Sequence, residues 1–215
     1  MSPFPIILSS PSGGGKSTIT RLLLERRKDV GYSVSCTTRP PRGNEVDTRD
    51  YFFVSPSEFA AKRERGDFAE CAEVHGNWYG TLRSQVDLVL GRGQHVIMDI
   101  DVQGARQFKD AYPESVLIFL IPPSAEELMK RLNSRQTESG DAFRTRLRAA
   151  REELRAAVSY QYAVENDDLE SAYRIVSSIV DAEAVRHARQ PHLTARVTAL
   201  VEELDRHLVE LTTPT

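Results

Sequence analysis

The chain has 215 residues, 40 % hydrophobic and 27 % charged, which excludes a disordered or fibrous chain and fits one large globular domain with insertions. A formal net charge of -3 excludes general electrostatic attraction to nucleic acid. The longest apolar run, Val116 to Ile121, is far shorter than the ~20 residues a membrane-spanning helix needs, and the opening MSPFPIILSS lacks the basic start and long apolar stretch of a secretory leader.

In chain order, the first element is a short apolar run, Pro5–Ser9, read as a buried strand. A glycine-rich loop follows, then a helical pattern over Lys16–Arg27. Residues 33–91 break the pattern. Short strands (Tyr51–Val54, Phe68–Val74) and small helices (Ser57–Arg65, Ser84–Leu90) make them a β-rich insertion. Strand His95–Ile100, helix Val102–Lys109 and strand Val116–Ile121 come next. Residues 124–158 carry a helix over Ala125–Leu132 and many arginines around a polar bend, Thr137–Gly140, and read as a projecting helical hairpin. Strand Tyr162–Glu165 and helix Leu169–Val180 close the alternation. Strands alternating with helices imply an α/β fold: a parallel sheet flanked by helices. One domain is expected, with its core in 1–32, 92–123 and 159–190, the insert at 33–91, the hairpin at 124–158 and a last helix at 191–215. In that helix Leu193, Val197, Leu200, Leu204, Leu208 and Leu211 form one apolar stripe, expected to pack on the protein's own core, with a dimer contact as the alternative. Cys36 and Cys71 form no CxxC and no metal spacing, so both are expected to be reduced thiols of a cytoplasmic protein.

The loop is SSPSGGGKST, residues 9–18. Strand, glycine loop, Lys-Ser and helix in that order make a P-loop, whose backbone N–H groups and helix N-terminus hold a nucleotide's phosphates. Ser12, Gly13, Gly14, Gly15, Lys16, Ser17 and Thr18 form the cradle. Lys16 reaches the β- and γ-phosphates, and the Ser17 hydroxyl serves Mg²⁺. The strict pattern has glycine where this chain has Ser10. Further on, Arg39 and Arg42 flank two prolines that stiffen the chain between them, and with Tyr51 they suit a doubly charged phosphate. Asp99 and Asp101 follow an apolar strand, at the edge where α/β proteins bind ligands. There Asp99 can hold Mg²⁺ through its waters; the alternative for either residue, read alone, is a strand-end cap.

The runs SVSCTTRPPR with a downstream DYFFVS, then FAECAEVHGNWYGT, VIMDIDVQG and ENDDL, are similar in order and spacing to the guanylate kinase family, over about residues 5–180. The resemblance implies transfer of a phosphoryl group from ATP to GMP and dGMP, in purine nucleotide metabolism and GMP recycling. It implies a GMP-binding insert and a lid, the hairpin. Ser35, Glu70 and Thr81 match positions that read guanine. Arg39, Arg42, Tyr51 and Tyr79 match those that hold the GMP phosphate. Glu45 and Asp101 match further acceptor-site positions, and Asp99 the position facing the metal. Arg131, Arg135 and Arg146 match the lid arginines, and Asn166 a position near the donor adenine. Where many members have glycine, this chain has Gln136. Mg²⁺ is the implied cofactor, and ATP and GMP the partners. No nucleic acid or membrane is expected, and the protein is expected to be a monomer or homodimer. Two alternatives stand beside this. One is a guanylate-kinase-like module that binds proteins without chemistry, against which Gly15, Lys16 and Ser17 argue. The other is a kinase of another phosphorylated acceptor such as ribose phosphate, against which Glu70 and Ser35 argue.

Overall fold

The computed structural model describes residues 2–74, 76–133 and 140–212, with side chains for all of these except 140–142 and 209–212. In chain order the first elements are β1 (Pro5–Ser9), α1 (Lys16–Arg26), β2 (Val30–Tyr32), β3 (Ser35–Thr37), β4 (Phe52–Phe53) and α2 (Pro56–Glu64). Next come β5 (Phe68–Val74), β6 (Asn77–Leu82), α3 (Arg83–Gly91), β7 (His95–Met98), α4 (Val102–Ala111) and β8 (Val116–Ile121). The last are α5 (Ala125–Asn133), α6 (Gly140–Ala156), β9 (Tyr162–Glu165), α7 (Leu169–Ala184) and α8 (Leu193–Thr212).

Five strands form a parallel sheet in the order β2-β7-β1-β8-β9. Strand side chains alternate between faces, and the core divides accordingly. Ile6 and Leu8 pack with Ile19 and Leu23 of α1 and Val176 and Val180 of α7. Ile7 joins Val86 and Val89 of α3 and Ala105 and Phe108 of α4 on the other face. Apolar faces on both sides explain why these strands read as continuous apolar runs. β7 ends at Met98, two residues before the expected end, because Asp101 leaves the strand to cap α4: its carboxylate accepts from the Gly104 N–H at 2.7 Å.

The insertion forms its own four-stranded sheet, β4-β3-β6-β5. Its β3 and β6 were not among the expected strands. One face covers a small separate core of Cys36, Phe59, Phe68 and Leu82, with the Phe59 and Phe68 rings stacked at 4.5 Å. A capping box at Ser55 and Glu58 starts α2 beneath it. In the hairpin, Leu128 and Leu132 of α5 meet Ala150 of α6. Of the expected bend, Gly140 opens α6 and residues 137–139 lie outside the described residues.

The last helix departs from expectation. Every described residue from Thr194 to Leu208 is exposed, and Val197, Leu200, Val201, Leu204 and Leu208 are all about half exposed or more. The described part of the stripe, Val197, Leu200, Leu204 and Leu208, belongs to no core cluster, and the Leu211 side chain lies outside the described residues. Among the described residues no helix is long and apolar enough to cross a membrane.

Candidate active site

The ends of β1, β7, β9 and β2 deliver side chains to one edge of the sheet. Gly15 caps α1 with φ 91°, and Gly13 has φ 80°, both left-handed conformations that favour glycine. Gly15 also makes room for Asn166, whose amide a Cβ would overlap. Asn166 is buried, donates from Nδ2 to the Gly14 carbonyl at 2.8 Å, and donates its N–H to the Ile121 carbonyl at 2.8 Å. It braces the loop from beneath. Ser10, where the strict motif has glycine, is buried and donates to the Pro11 carbonyl at 3.0 Å. It fits because Gly14 above it has no Cβ: one would lie 2.6 Å from the Ser10 Cβ.

Lys16 is half-buried in the first turn of α1, beside Ser17 and Thr18. The Ser17 hydroxyl donates to Asp99 Oδ2 at 2.6 Å, and the Tyr32 hydroxyl donates to Asp99 Oδ1 at 3.1 Å. A hydroxyl and a carboxylate, both hard oxygen donors, suit Mg²⁺, which binds one or two protein groups and completes its octahedron with phosphates and water. Among the described residues no group of three or more His, Cys, Asp or Glu forms an alternative metal cage.

The hairpin reaches this loop twice. Arg131 is held by Glu127 at 2.8 Å, and both its Nη atoms donate to the Asn166 carbonyl at 3.2 Å. Arg146 donates to the Leu132 carbonyl at 3.2 Å and lies 3.5 Å from the Ser12 hydroxyl. Glu153 accepts the Ser12 backbone N–H at 3.1 Å. Arg135 and Gln136 lie outside the described residues. Arg151 and Arg155 are exposed and share Glu152.

A second cluster of expected residues lies on the other face of the small sheet. Ser35 is paired with Thr81 across β3 and β6, and Thr81 with Glu70 across β6 and β5. The three side chains therefore stand in one row on one face. Glu70 is only 6 % exposed and accepts the Thr81 hydroxyl at 2.7 Å. Burial pushes its carboxyl up to about 7, and the charge of Asp101 adds to this, while the Thr81 hydrogen bond opposes it. Gly104 is required here: a Cβ on it would come 2.7 Å from Glu70 Oε2.

Beyond the row, Arg39 is buried and gripped end-on by Glu45, with Nη1 at 2.8 Å and Nη2 at 2.9 Å from its two oxygens. Glu45 also accepts the Arg42 backbone N–H at 2.7 Å, which joins both ends of the RPPR turn. Arg42 itself is exposed. The buried Arg39 Nε has no hydrogen-bond partner. Arg39 stacks over Tyr51 at 5.3 Å, and Tyr51 meets Tyr79 edge-on at 6.1 Å. A cavity of about 290 Å³ joins the two halves, with Ser17, Tyr32 and Asp99 on one side and Glu45 and Tyr51 on the other.

The expected residues among those described fall on the phosphate loop, the ends of β7 and β9, the insert and the hairpin. Asp101 is the helix cap its position allowed. Tyr32, Gly104 and Glu153 were not expected. Gly104 had a signal in the DVQG run, whereas Tyr32 and Glu153 reach the site across 67 and 141 positions and had none.

A phosphate loop on a parallel sheet, facing an anion-holding insert across one cavity, defines a nucleotide-binding transferase of the P-loop kinase class. The family model "Guanylate kinase" matches residues 2–183. The chain is 45 % identical over 200 residues to a guanylate kinase of Brucella melitensis, covering 92 % of this chain and 91 % of that one. It is 47 % identical over 185 residues to one of Myxococcus xanthus, covering 86 % and 88 %. The solved guanylate kinase of Anaplasma phagocytophilum superposes with a TM-score of 0.75 at 33 % identity, covering 90 % of this chain and 93 % of that one. The chain belongs to the guanylate kinase family and is a nucleoside monophosphate kinase.

Proposed function

We propose that this chain transfers the γ-phosphoryl group of ATP to GMP, and to dGMP, giving ADP and GDP in the cytoplasm. The observation that carries the choice of acceptor is Glu70: a buried carboxylate, in a row with Ser35 and Thr81, with no cation paired to it among the described residues. Guanine offers donors at N1 and N2 that one carboxylate accepts together, and adenine offers no such pair on that edge. Adenine in this pocket leaves a buried carboxylate unpaired, which disfavours it strongly.

In this reading residues 12–18 hold the phosphates of ATP, with Lys16 on the β- and γ-oxygens and Asn166 keeping the loop in shape. Arg39 joins Arg42, Tyr51 and Tyr79 on the GMP phosphate, while Glu45 fixes the Arg39 guanidinium. Asp101 holds the start of α4, and with it Gly104, against Glu70. Ser17 and Asp99 would hold Mg²⁺, which when bound neutralises the charge of the β- and γ-phosphates. The second pKa of a phosphomonoester is about 6, so the attacking oxygen is already ionised at neutral pH and needs no general base. What remains is to bring two anions in line and offset their repulsion. Arg131 and Arg146, with Arg135, take that task as the hairpin closes, a contribution of about 10³–10⁵ in rate for an arginine on the moving group. Closure also excludes water from the cavity.

ADP release measured with GMP, AMP and ribose 5-phosphate tests the proposal. GMP should exceed AMP in kcat/KM by about 10⁴. Equal use of AMP, or a preference for the sugar phosphate, would overturn the acceptor assignment; no ADP release with any acceptor would favour the binding-module reading.

A further inference from the structure

The cavity between the two halves has a wall that no role above uses. Tyr32 ends β2, paired with Ile97 of β7, and two residues past Ile97 the chain delivers Asp99. The phenol therefore runs along the sheet edge and reaches the carboxylate from the strand next door. Its ring packs against the core beneath α1 and α7, so the hydroxyl is held by the fold and not by a mobile loop.

We infer that the Tyr32 hydroxyl is a positioning group for Asp99: it pins Oδ1 and so keeps Oδ2 turned toward Ser17, at the point where the two phosphates meet. The inference rests on the phosphoryl-transfer reading above. The terminal torsion of an aspartate is broad and soft. Asp99 follows the last residue of its strand and would otherwise be free to turn toward the cavity. With Oδ2 2.6 Å from the Ser17 hydroxyl and Oδ1 3.1 Å from the Tyr32 hydroxyl, both oxygens are assigned. Were Ser17 and Asp99 to hold a divalent cation, the Ser17 hydroxyl would no longer donate to Asp99, and the Tyr32 hydroxyl would remain as its donor. Partners of this kind, one step removed from a metal, change metal affinity or activity by about 10–100-fold when lost. The opposing view makes Tyr32 a core filler with a chance hydrogen bond, in which case phenylalanine does equally well.

The test is Tyr32→Phe, with ADP titrated calorimetrically into wild type and variant, in excess Mg²⁺ and in EDTA, and GMP titrated separately. The gain in ADP affinity that Mg²⁺ brings should fall by about 10-fold in the variant, with affinity in EDTA and for GMP unchanged. In turnover, kcat should fall with KM for GMP unchanged. The same Mg²⁺ gain in both proteins overturns the inference. So does an equal loss with and without Mg²⁺, or a parallel loss for GMP, since either marks a packing role. Wild type that gains nothing from Mg²⁺ overturns the metal reading of Ser17 and Asp99 itself, and the two failures are thereby distinguished.

Discussion

At Lys16 and Glu70 the burial and partners of one residue set a measurable outcome. Lys16 sits on the loop side of the cavity, away from the Ser35–Thr81–Glu70 row. Lys16→Ala should lower kcat by about 10³ or more, in the range of such charge-stabilising contacts, and leave GMP binding by calorimetry intact. Lost GMP binding with turnover retained would reverse the two halves of the site. Glu70 makes a prediction in pH. Its carboxyl titrates at about 7 in the ligand-free chain, against 4.5 for an unburied glutamate. Between these values the folded chain holds more protons than the unfolded one, so the contribution of Glu70 to stability falls as pH rises through that window. Glu70→Gln removes the ionisation. The variant should be about 1–3 kcal/mol more stable than wild type at about pH 8, with the gap closing near about pH 4. The proposed guanine recognition should have the opposite sign, because it needs the ionised carboxylate as acceptor. Guanosine, which lacks the phosphate and its own ionisation, should bind more tightly to wild type as pH rises through about 7, with release of a proton. Affinity flat across that range would sink the assignment of Glu70 to the purine. The residues legible in the sequence by themselves were those whose chemistry is local, three glycines and Lys-Ser after a strand; Arg39 and Arg42, which alone read as a solvated basic loop, entered through the family resemblance. Tyr32 was illegible because its meaning lies in a contact with Asp99 that only the β2–β7 pairing creates.

At the scale of elements, the same division holds between local pattern and pairing. Strands β1, β7 and β8 were legible because they are covered on both faces. Strands β3 and β6 were not, because one face of each lines a polar site and the other a small core, and Ser35–Thr37 and Asn77–Leu82 carry no apolar run to betray them. That separate core makes the insert vulnerable by itself. Phe59 is 1 % exposed and stacked on Phe68, so Phe59→Ala should cost about 3–5 kcal/mol locally. The loss should appear as weaker GMP binding, with ADP binding nearly unchanged. Equal weakening of both would show that insert and core unfold together. The loop after β9 predicts the converse. Asn166 holds Gly14 from below and gives its carbonyl to Arg131. Asn166→Ala should raise KM for ATP by about 10-fold, the effect of one buried hydrogen bond to an otherwise unpaired group, and leave KM for GMP alone. A change confined to GMP would contradict the brace.

For the whole molecule, the decisive feature is where the chain stops contributing to the body. The two ends are knitted together just before α8. Arg189 lies over the Phe4 ring at 4.0 Å, donates to the Glu114 carbonyl at 2.8 Å and pairs with Glu183 at 3.2 Å, while the Ser2 N–H donates to the Arg189 carbonyl at 3.1 Å. Glu183 is 2 % exposed, and its other partners are the Tyr162 hydroxyl at 2.6 Å and Arg186 at 3.1 Å. A buried carboxylate is tolerable only with these partners in place. Past Gln190 the picture inverts, since α8 leaves its apolar stripe in water and hydrophobic stabilisation requires area removed from water. Two truncations should therefore behave in opposite ways. A chain ending at Gln190 should keep its kcat and both KM values, with a melting temperature within about 3 °C of the full chain, the shift that ~1 kcal/mol produces at this size. A chain ending at Ala184 loses Arg186 and Arg189 and strands Glu183 as a buried charge. That costs about 3–5 kcal/mol, which lowers the melting temperature by about 10 °C or more. If the chain ending at Ala184 were as stable as the full chain, the Glu183 cluster would not be the clasp of the fold. If the longer chain lost activity, α8 would hold a role that its exposed face conceals, and size-exclusion chromatography of the two proteins would show whether that role is a contact between copies.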